Sequence, residues 1–160
     1  MITVVTNRYN NETWQTSCDN RIRRNLACIY CSPSELSPEI PYDIPVFVIE
    51  MNNSTNKIEG IGLIKNRIET DKYYKVHYDG NYNRYIYIGK YHLSREKIEE
   101  YNPNLVYILD QILFKGYTHS KRGSGMTRIP EKVLKFEICQ RIDIKKEIRN
   151  IFIDHFTKKG

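Results

Sequence analysis

The decisive stretch of the sequence reads Val46-Phe47-Val48-Ile49-Glu50-Met51, then a polar turn at 52–56, then Lys57-Ile58-Glu59-Gly60-Ile61-Gly62-Leu63-Ile64. β-Branched and aromatic side chains dominate the first segment, which predicts a strand. The turn then returns a second apolar segment as its partner. Because glycine weakens a strand, Gly60 and Gly62 predict a bulge or the close approach of another part of the backbone.

Three other segments carry strand signals. The β-branched run Ile2-Thr3-Val4-Val5-Thr6 predicts a first strand. Both Tyr73-Tyr74-Lys75-Val76-His77-Tyr78 and Arg84-Tyr85-Ile86-Tyr87-Ile88 alternate as half-buried antiparallel strands do, and Asp79-Gly80 between them is a strong turn signal. These last two segments therefore predict a second hairpin.

The first predicted helix follows the first strand. Asn10 or Asn11 supplies its N-cap, and Trp14, Cys18 and Ile22 fall on one face at helical spacing. This spacing predicts that the three side chains form the buried face of the helix, with Cys18 as a small apolar residue.

Helices dominate after residue 93. Ser94 caps a short helix that ends near Tyr101, and a second helix starts at Asn102-Pro103-Asn104 and stops at Gly116. Asp143 caps the last helix. Two of these helices carry an apolar stripe, which consists of Leu105, Ile108, Leu109, Ile112 and Leu113 in one and of Ile144, Ile148, Ile151, Phe152 and Phe156 in the other.

The order of these elements predicts an α+β fold. We expect a small, curved, mostly antiparallel sheet or partial barrel with flanking helices and a helical C-terminal tail. The length of 160 residues fits one domain, with a sheet-rich part at 1–92 and a helical part at 93–160 that contains a basic loop at 115–128.

The formal net charge of +6 favours polyanionic partners, although a basic surface also serves solubility alone. Apolar runs stay shorter than the roughly 18 residues that span a bilayer, and the start of the chain lacks signal-peptide features. We therefore expect an intracellular protein, cytoplasmic or nuclear, without a membrane partner.

The basic loop is the strongest binding signal. Its residues 115–128 hold four cations and no acid, and its glycines let a ligand approach the backbone closely. Hydroxyls and exposed N–H groups add anion donors, and arginines bind phosphate bidentately. The alternative is an ordinary solvated loop. The predicted nucleic-acid-binding residues of the loop are Lys115, Tyr117, His119, Lys121, Arg122, Gly123, Ser124, Gly125 and Arg128.

Aromatic residues interleaved with cations form a second signal. Seven tyrosines between 73 and 91 lie close in sequence to Lys75 and Arg84, and Trp14 is the single tryptophan. Nucleic-acid bases stack on exposed aromatic rings while nearby cations hold the phosphates. Cross-strand packing explains any single tyrosine equally well, because tyrosine favours strands. Trp14, Lys75 and Arg84 complete the predicted binding set.

The cysteines leave alternatives open. Cys28-Ile29-Tyr30-Cys31, with Cys18 and a histidine, has the residue types of a zinc site, but no second Cys-x-x-Cys pair is present. Structural thiols are favoured over zinc and over redox chemistry, so we expect no cofactor. The histidines stand apart from any nucleophile elbow or paired acids, so we predict no catalytic residues and no enzyme.

The strand, turn and glycine-containing strand at Val46–Met51 and Lys57–Ile64, preceded by a helix that carries Trp14, resemble the PUA-like superfamily, which includes the EVE, ASCH and YTH domains. The resemblance covers residues 1–92. It implies a small curved or barrel-like α+β domain that binds RNA or modified bases, often in an aromatic pocket. With one tryptophan, the chain departs from cages that several tryptophans build.

Three hypotheses follow. The first is a nucleic-acid-binding module for RNA or DNA. The second is a structural or assembly protein that forms a homodimer through its helical tail. It fits a composition rich in Asn, Ile and Lys that resembles proteins of large DNA viruses, which would place the chain in a virion or the host cytoplasm. The third is a zinc or thiol protein that uses Cys18, Cys28 and Cys31.

Overall fold

A computed structural model describes residues 2–71, 73–77 and 80–157. Its strands and helices are β1 (Thr3–Tyr9), α1 (Asn11–Arg24), β2 (Cys28–Ser32), β3 (Pro45–Asn52), β4 (Lys57–Lys65), β5 (Tyr85–Gly89), β6 (Tyr91–Ser94), α2 (Arg95–Tyr101), α3 (Pro103–Phe114), β7 (Thr127–Arg128), α4 (Glu131–Leu134) and α5 (Ile144–Thr157). The predicted α+β class is confirmed.

The strands form two sheets. The larger is open and has the order β6-β4-β3-β1-β7, and the smaller pairs β2 with β5. β1 and β3 run parallel, with Val5 opposite Val48, and every other pairing in the two sheets is antiparallel. The predicted mostly antiparallel character is therefore confirmed. The parallel pair places the C-terminal end of β1 beside the C-terminal end of β3.

The decisive hairpin is β3–β4, and the predicted bulge or close backbone approach is confirmed: the bulge is present, and backbone approaches Gly60. The register of the hairpin shifts between Glu50 and Met51, which marks a bulge. A Cβ atom on Gly62 would lie 2.0 Å from the Tyr30 hydroxyl, and one on Gly60 would lie 2.6 Å from the carbonyl oxygen of Leu93. Only glycine leaves room for these two close approaches.

The predicted second hairpin is wrong. β5 pairs with β2, and residues 73–77 form no strand. The Asn83 side chain instead accepts hydrogen bonds from the N–H groups of Val76 (3.0 Å) and His77 (2.9 Å) and donates to the carbonyl of His77 (2.7 Å). Because this one amide occupies those backbone groups, the segment needs no partner strand there. Tyr78 and Asp79 of the predicted hairpin lie outside the described residues.

The predicted cap of α1 is confirmed, but its predicted buried face is wrong. The N–H of Thr13 donates to Oδ1 of Asn10 over 2.8 Å. Ile22, however, is 81% exposed. The buried residues of the helix are Ser17, Asn20 and Arg21. Helical spacing of apolar residues misidentified the face because the sheet below α1 presents a buried carboxylate rather than an apolar surface.

The C-terminal helices follow their predictions. Ser94, Asn102 and Asp143 accept capping hydrogen bonds from N–H groups three residues later. The stripes of α3 and α5 pack with residues of the larger sheet in one apolar core, which includes Phe47, Leu109 and Phe152. The apolar face of α5 is thus covered by the core of its own chain.

Ile148 and Ile153 test this packing as a matched pair on α5. Ile148 is 1% exposed and Ile153 is 49% exposed. We expect Ile148→Ala to lower the free energy of unfolding by about 2–5 kcal/mol, since it deletes buried methyl groups and leaves a cavity. Ile153→Ala should cost less than about 1 kcal/mol, because half of that side chain is already in water. Urea titration of both variants gives the comparison, and equal losses would contradict the packing.

Candidate functional site

A cleft of about 410 Å³ lies where β1 ends and α1 begins. We name it the α1 cleft. Asn7, Arg8 and Tyr9 form its floor, and the first turns of α1 form one wall. The opposite walls come from the basic loop and from the segment around His77 and Tyr82. The cleft therefore collects residues that are more than a hundred positions apart in sequence.

The Arg8 guanidinium holds the basic loop in place. Its Nε donates to the carbonyl of Gly123 (3.2 Å), its Nη1 to that of Ser120 (3.3 Å) and its Nη2 to that of Gly125 (3.2 Å). Both terminal nitrogens also reach the Thr127 hydroxyl. Burial lowers the pKa of Arg8 from its ordinary value, yet arginine stays charged at neutral pH. One fixed, forked donor thus sets the path of the loop.

This clamp orients the loop amides. Asn53 Nδ2 donates to the carbonyl of Lys121 over 2.9 Å, while Arg8 takes the carbonyl of Gly123. In a planar trans peptide the N–H points opposite to the carbonyl. The N–H groups of Arg122 and Ser124 therefore point away from Arg8 and Asn53, and among the described residues no acceptor takes them. Loop amides held in this way resemble an anion-binding nest.

Left-handed backbone conformations make this path available. Gly123 has φ of +100° and Gly125 has φ of +74°. A Cβ atom on Gly125 would also lie 2.9 Å from the Ser32 hydroxyl. Glycine is required at both positions, since other residues rarely adopt such φ values.

The N-terminal end of α1 adds a positive partial charge to the cleft. Its capping box is complete, because Asn10 caps Thr13 and the N–H of Asn10 donates to the Thr13 hydroxyl over 2.9 Å. Glu12 is the acidic residue of this wall, and Lys121 lies on the loop wall. The helix end therefore favours an anion in the cleft, while Glu12 opposes one.

The third wall is aromatic. Tyr82 is 42% exposed, and its ring meets that of His77 edge to face with 6.4 Å between the centroids. Burial lowers the pKa of His77 from its ordinary value, which favours the neutral ring. The cleft thus combines a cation and an exposed phenol ring, beside a loop whose Arg122 and Ser124 N–H groups have no described acceptor.

The structure brings together four of the predicted binding residues: Lys121, Gly123, Ser124 and Gly125 line the cleft. Arg122 is exposed in the same loop. His119 supports the loop, since its Nδ1 accepts from the N–H of Lys121 over 3.2 Å.

The other predicted residues lie outside the α1 cleft. Arg128 is paired with Glu39, and Lys115 and Tyr117 are exposed further along the loop. Arg84 lies over the ring of Tyr85, and Lys75 is exposed. Trp14 packs against Tyr9, with 5.1 Å between the ring centroids.

Sequence reasoning missed Arg8, Asn53 and His77, and it included Tyr82 only as one of the seven tyrosines between 73 and 91. The polar run Asn7-Arg8 directly after an apolar strand was a usable signal, because polar residues at strand ends are often placed at sites. Asn53 belongs to a turn rich in polar residues, where nothing in the sequence distinguishes the residue that contacts the loop.

A buried charge network beneath α1 fixes the helix on the sheet. Glu50 of β3 is 0% exposed. Its Oε2 accepts from Arg21 Nη2 and from the Tyr30 hydroxyl, both over 2.7 Å, and His92 Nε2 lies 2.9 Å from its Oε1. Burial by itself would raise the pKa of Glu50, but Arg21 and His92 reverse the effect and lower it to about 2. Glu50 is therefore ionised at neutral pH.

The two cysteines of the Cys-x-x-Cys segment lie on β2, where residues three apart face opposite sides of the strand. Cys28 packs with Val48 and Tyr87, whereas Cys31 packs with Ile29 and Val76. Burial raises the pKa of each thiol to about 12. Within the part of the chain that the structure describes, no cluster of three His, Cys, Asp or Glu side chains is arranged to hold a metal ion.

Comparison of the chain with protein-family models, curated proteins and solved structures gave no significant match. Over residues 2–71, 73–77 and 80–157, no helix has both the length and the apolarity needed to cross a membrane.

Glu50→Gln tests the buried charge network through the pH dependence of stability. A pKa lowered from 4.5 to about 2 means that Glu50 stabilises the fold fully above pH 4.5 and loses this contribution as pH falls towards 2. At pH 7 we expect the variant to be about 3–5 kcal/mol less stable, because it leaves Arg21 buried and unpaired. Urea titrations should show this gap shrinking between pH 4.5 and 2. A gap independent of pH would contradict the ionised state of Glu50.

Arg8→Lys tests the clamp. Lysine keeps the charge but not the forked geometry, and each lost hydrogen bond to a charged group contributes about 1.5–3 kcal/mol. We expect amide hydrogen exchange at Ser120 and in β7 to accelerate by about tenfold or more. Arg122→Lys is the control, since the Arg122 side chain makes no hydrogen bond to a described residue. Unchanged exchange in Arg8→Lys would show that the loop holds its path without the guanidinium.

Proposed function

We propose that this chain binds nucleic acid, and that the α1 cleft receives the backbone and one base of a single strand. The observation that carries the proposal is the Arg8 clamp. It takes the loop carbonyls of Ser120, Gly123 and Gly125, and the N–H groups of Arg122 and Ser124 are left without a described acceptor. Oriented amides beside cationic side chains are a common way to bind phosphate.

Phosphate contacts come from Lys121, Arg122 and the loop amides. Lys121 lines the cleft, and Arg122 is exposed next to it. Arg8 contributes charge from below while its donors hold the loop. The N-terminal end of α1 favours the same sign of ligand charge.

Stacking is the role of Tyr82, the exposed ring of the cleft. Stacking on an aromatic ring contributes about 1–3 kcal/mol for each base and tolerates any base type. A single strand offers an unstacked base to such a ring, whereas a duplex keeps its bases covered. The resemblance to PUA-like domains stays a prediction and points to the same class of ligand.

Lys121→Ala with Arg122→Ala is the direct test. We expect the double variant to bind a labelled single strand about tenfold or more weakly, with the slope of log affinity against log salt reduced by about 1.4, because two phosphate contacts are lost. Fluorescence anisotropy over a salt series measures both. Single-stranded RNA, single-stranded DNA and a duplex of the same sequence are compared.

Lys132→Ala with Lys146→Ala is the matched control. It removes the same charge from exposed positions on α4 and α5, outside the α1 cleft. This variant should retain the salt slope of the unmodified chain. The proposal fails if both double variants lose affinity equally, since that result reports net charge alone. It also fails if the unmodified chain binds no strand at low salt.

A further inference from the structure

A second cleft, of about 400 Å³, lies at the other end of β1, between the start of the larger sheet and the C-terminal half of α5. We name it the α5 cleft. Phe47 and Phe152 meet edge to face within it, with 5.0 Å between their ring centroids. Tyr91 and Phe156 form a second such pair at 4.9 Å. Its size falls within the range of about 300–1,000 Å³ that is usual for small-molecule sites.

The apolar side chains of α5 face either the core or this cleft. Ile2 and Leu63 also line it and are half-buried. The outer face of α5, in contrast, is polar and exposed at Lys146, Asn150 and Asp154. A protein docked on the outer face of α5 would therefore bury mainly polar groups, whereas a small molecule with an apolar body needs only the cleft.

Arg149 defines the charge of the ligand. It is the only charged residue among the described residues that line the cleft, and no hydrogen bond or ion pair joins it to another described residue. Arg149 precedes Phe152 by three positions on α5, so the two side chains lie on the same side of the helix. A guanidinium binds a carboxylate bidentately.

We propose that the α5 cleft binds a small apolar molecule that carries one carboxylate. The aromatic floor takes the hydrocarbon body, and Arg149 takes the carboxylate at the rim. This site is separate from the α1 cleft, because the two clefts share no lining residue.

Decanoate and decan-1-ol are suitable probes, because they differ only in the charged end group. Isothermal titration calorimetry measures both, below the micelle concentration of decanoate and below the solubility limit of decan-1-ol. We expect decanoate to bind the unmodified chain more tightly than decan-1-ol. Arg149→Gln should weaken decanoate binding about tenfold, equivalent to about 1.4 kcal/mol, and leave decan-1-ol within about twofold.

Two further variants locate the site. Thr157→Trp places a large ring at an exposed lining position and should weaken both probes strongly without changing the melting temperature. Lys146→Gln removes a charge from α5 outside the cleft and should change neither probe. The proposal is overturned if decanoate does not bind, if Arg149→Gln binds decanoate as the unmodified chain does, or if Thr157→Trp leaves binding intact.

Discussion

Glu50 sits on the central strand β3 with no exposure to water, and three side chains from three other elements converge on its carboxylate. Removing one charge from water costs several kcal/mol unless its partners have good geometry. Arg21 supplies the opposite charge from α1, and the rings of Trp14 and Tyr30 lie 5.1 and 5.4 Å from that guanidinium. The network therefore dictates where α1, β2 and β6 lie against the larger sheet.

The glycines of β4 follow from this constraint. Gly62 leaves the space that the Tyr30 hydroxyl needs to reach Glu50, and Gly60 leaves space beside the Glu50 and His92 side chains. A side chain at either position would displace a hydrogen-bond partner of the buried carboxylate. The bulge at Glu50 and Met51 lies in the same part of the hairpin. The glycines, the bulge and the charge network therefore depend on one another.

The geometry of the α1 cleft also depends on the attachment of α1 to the larger sheet. Arg21 fixes the C-terminal half of α1, while Asn11 fixes its start through hydrogen bonds with Ser54 and Asn52, each 3.0 Å long. The neighbouring turn residue Asn53 then holds the loop carbonyl of Lys121. The α1 wall and the loop wall of the cleft are therefore attached by directional hydrogen bonds, which set positions more narrowly than apolar packing does.

Helices and strands that bury apolar side chains were predictable from the sequence. The stripes of α3 and α5, the caps and the β3–β4 hairpin follow directly from periodicity and turn chemistry. The buried face of α1 and the segment at 73–77 were not predictable, because polar side chains decide both. From sequence alone, Arg21 is expected at the surface and Asn83 in a turn. Their partners, Glu50 and the backbone of Val76, are known only from the fold. Only four of the nine predicted loop residues line the cleft, for the same reason: glycine and lysine mark a loop, but Arg8 decides its path.

The contacts of the arginines show why net charge alone does not locate a binding surface in this chain. The net charge of +6 suggests a generally basic surface. Arg21 pairs with Glu50, Arg95 with Asp110 and Arg128 with Glu39, whereas Arg8 keeps its charge and donates to loop carbonyls. These guanidinium groups hold parts of the fold together, a role that suits their rigid geometry and their several donors. A cation that lines a cleft and whose side-chain donors have no described acceptor is therefore a better marker of a ligand site than the net charge is. Lys121 in the α1 cleft and Arg149 in the α5 cleft meet that condition. Their surroundings differ in the way that two ligand classes would require: a phenol ring and loop N–H groups without a described acceptor beside Lys121, and an aromatic floor beside Arg149.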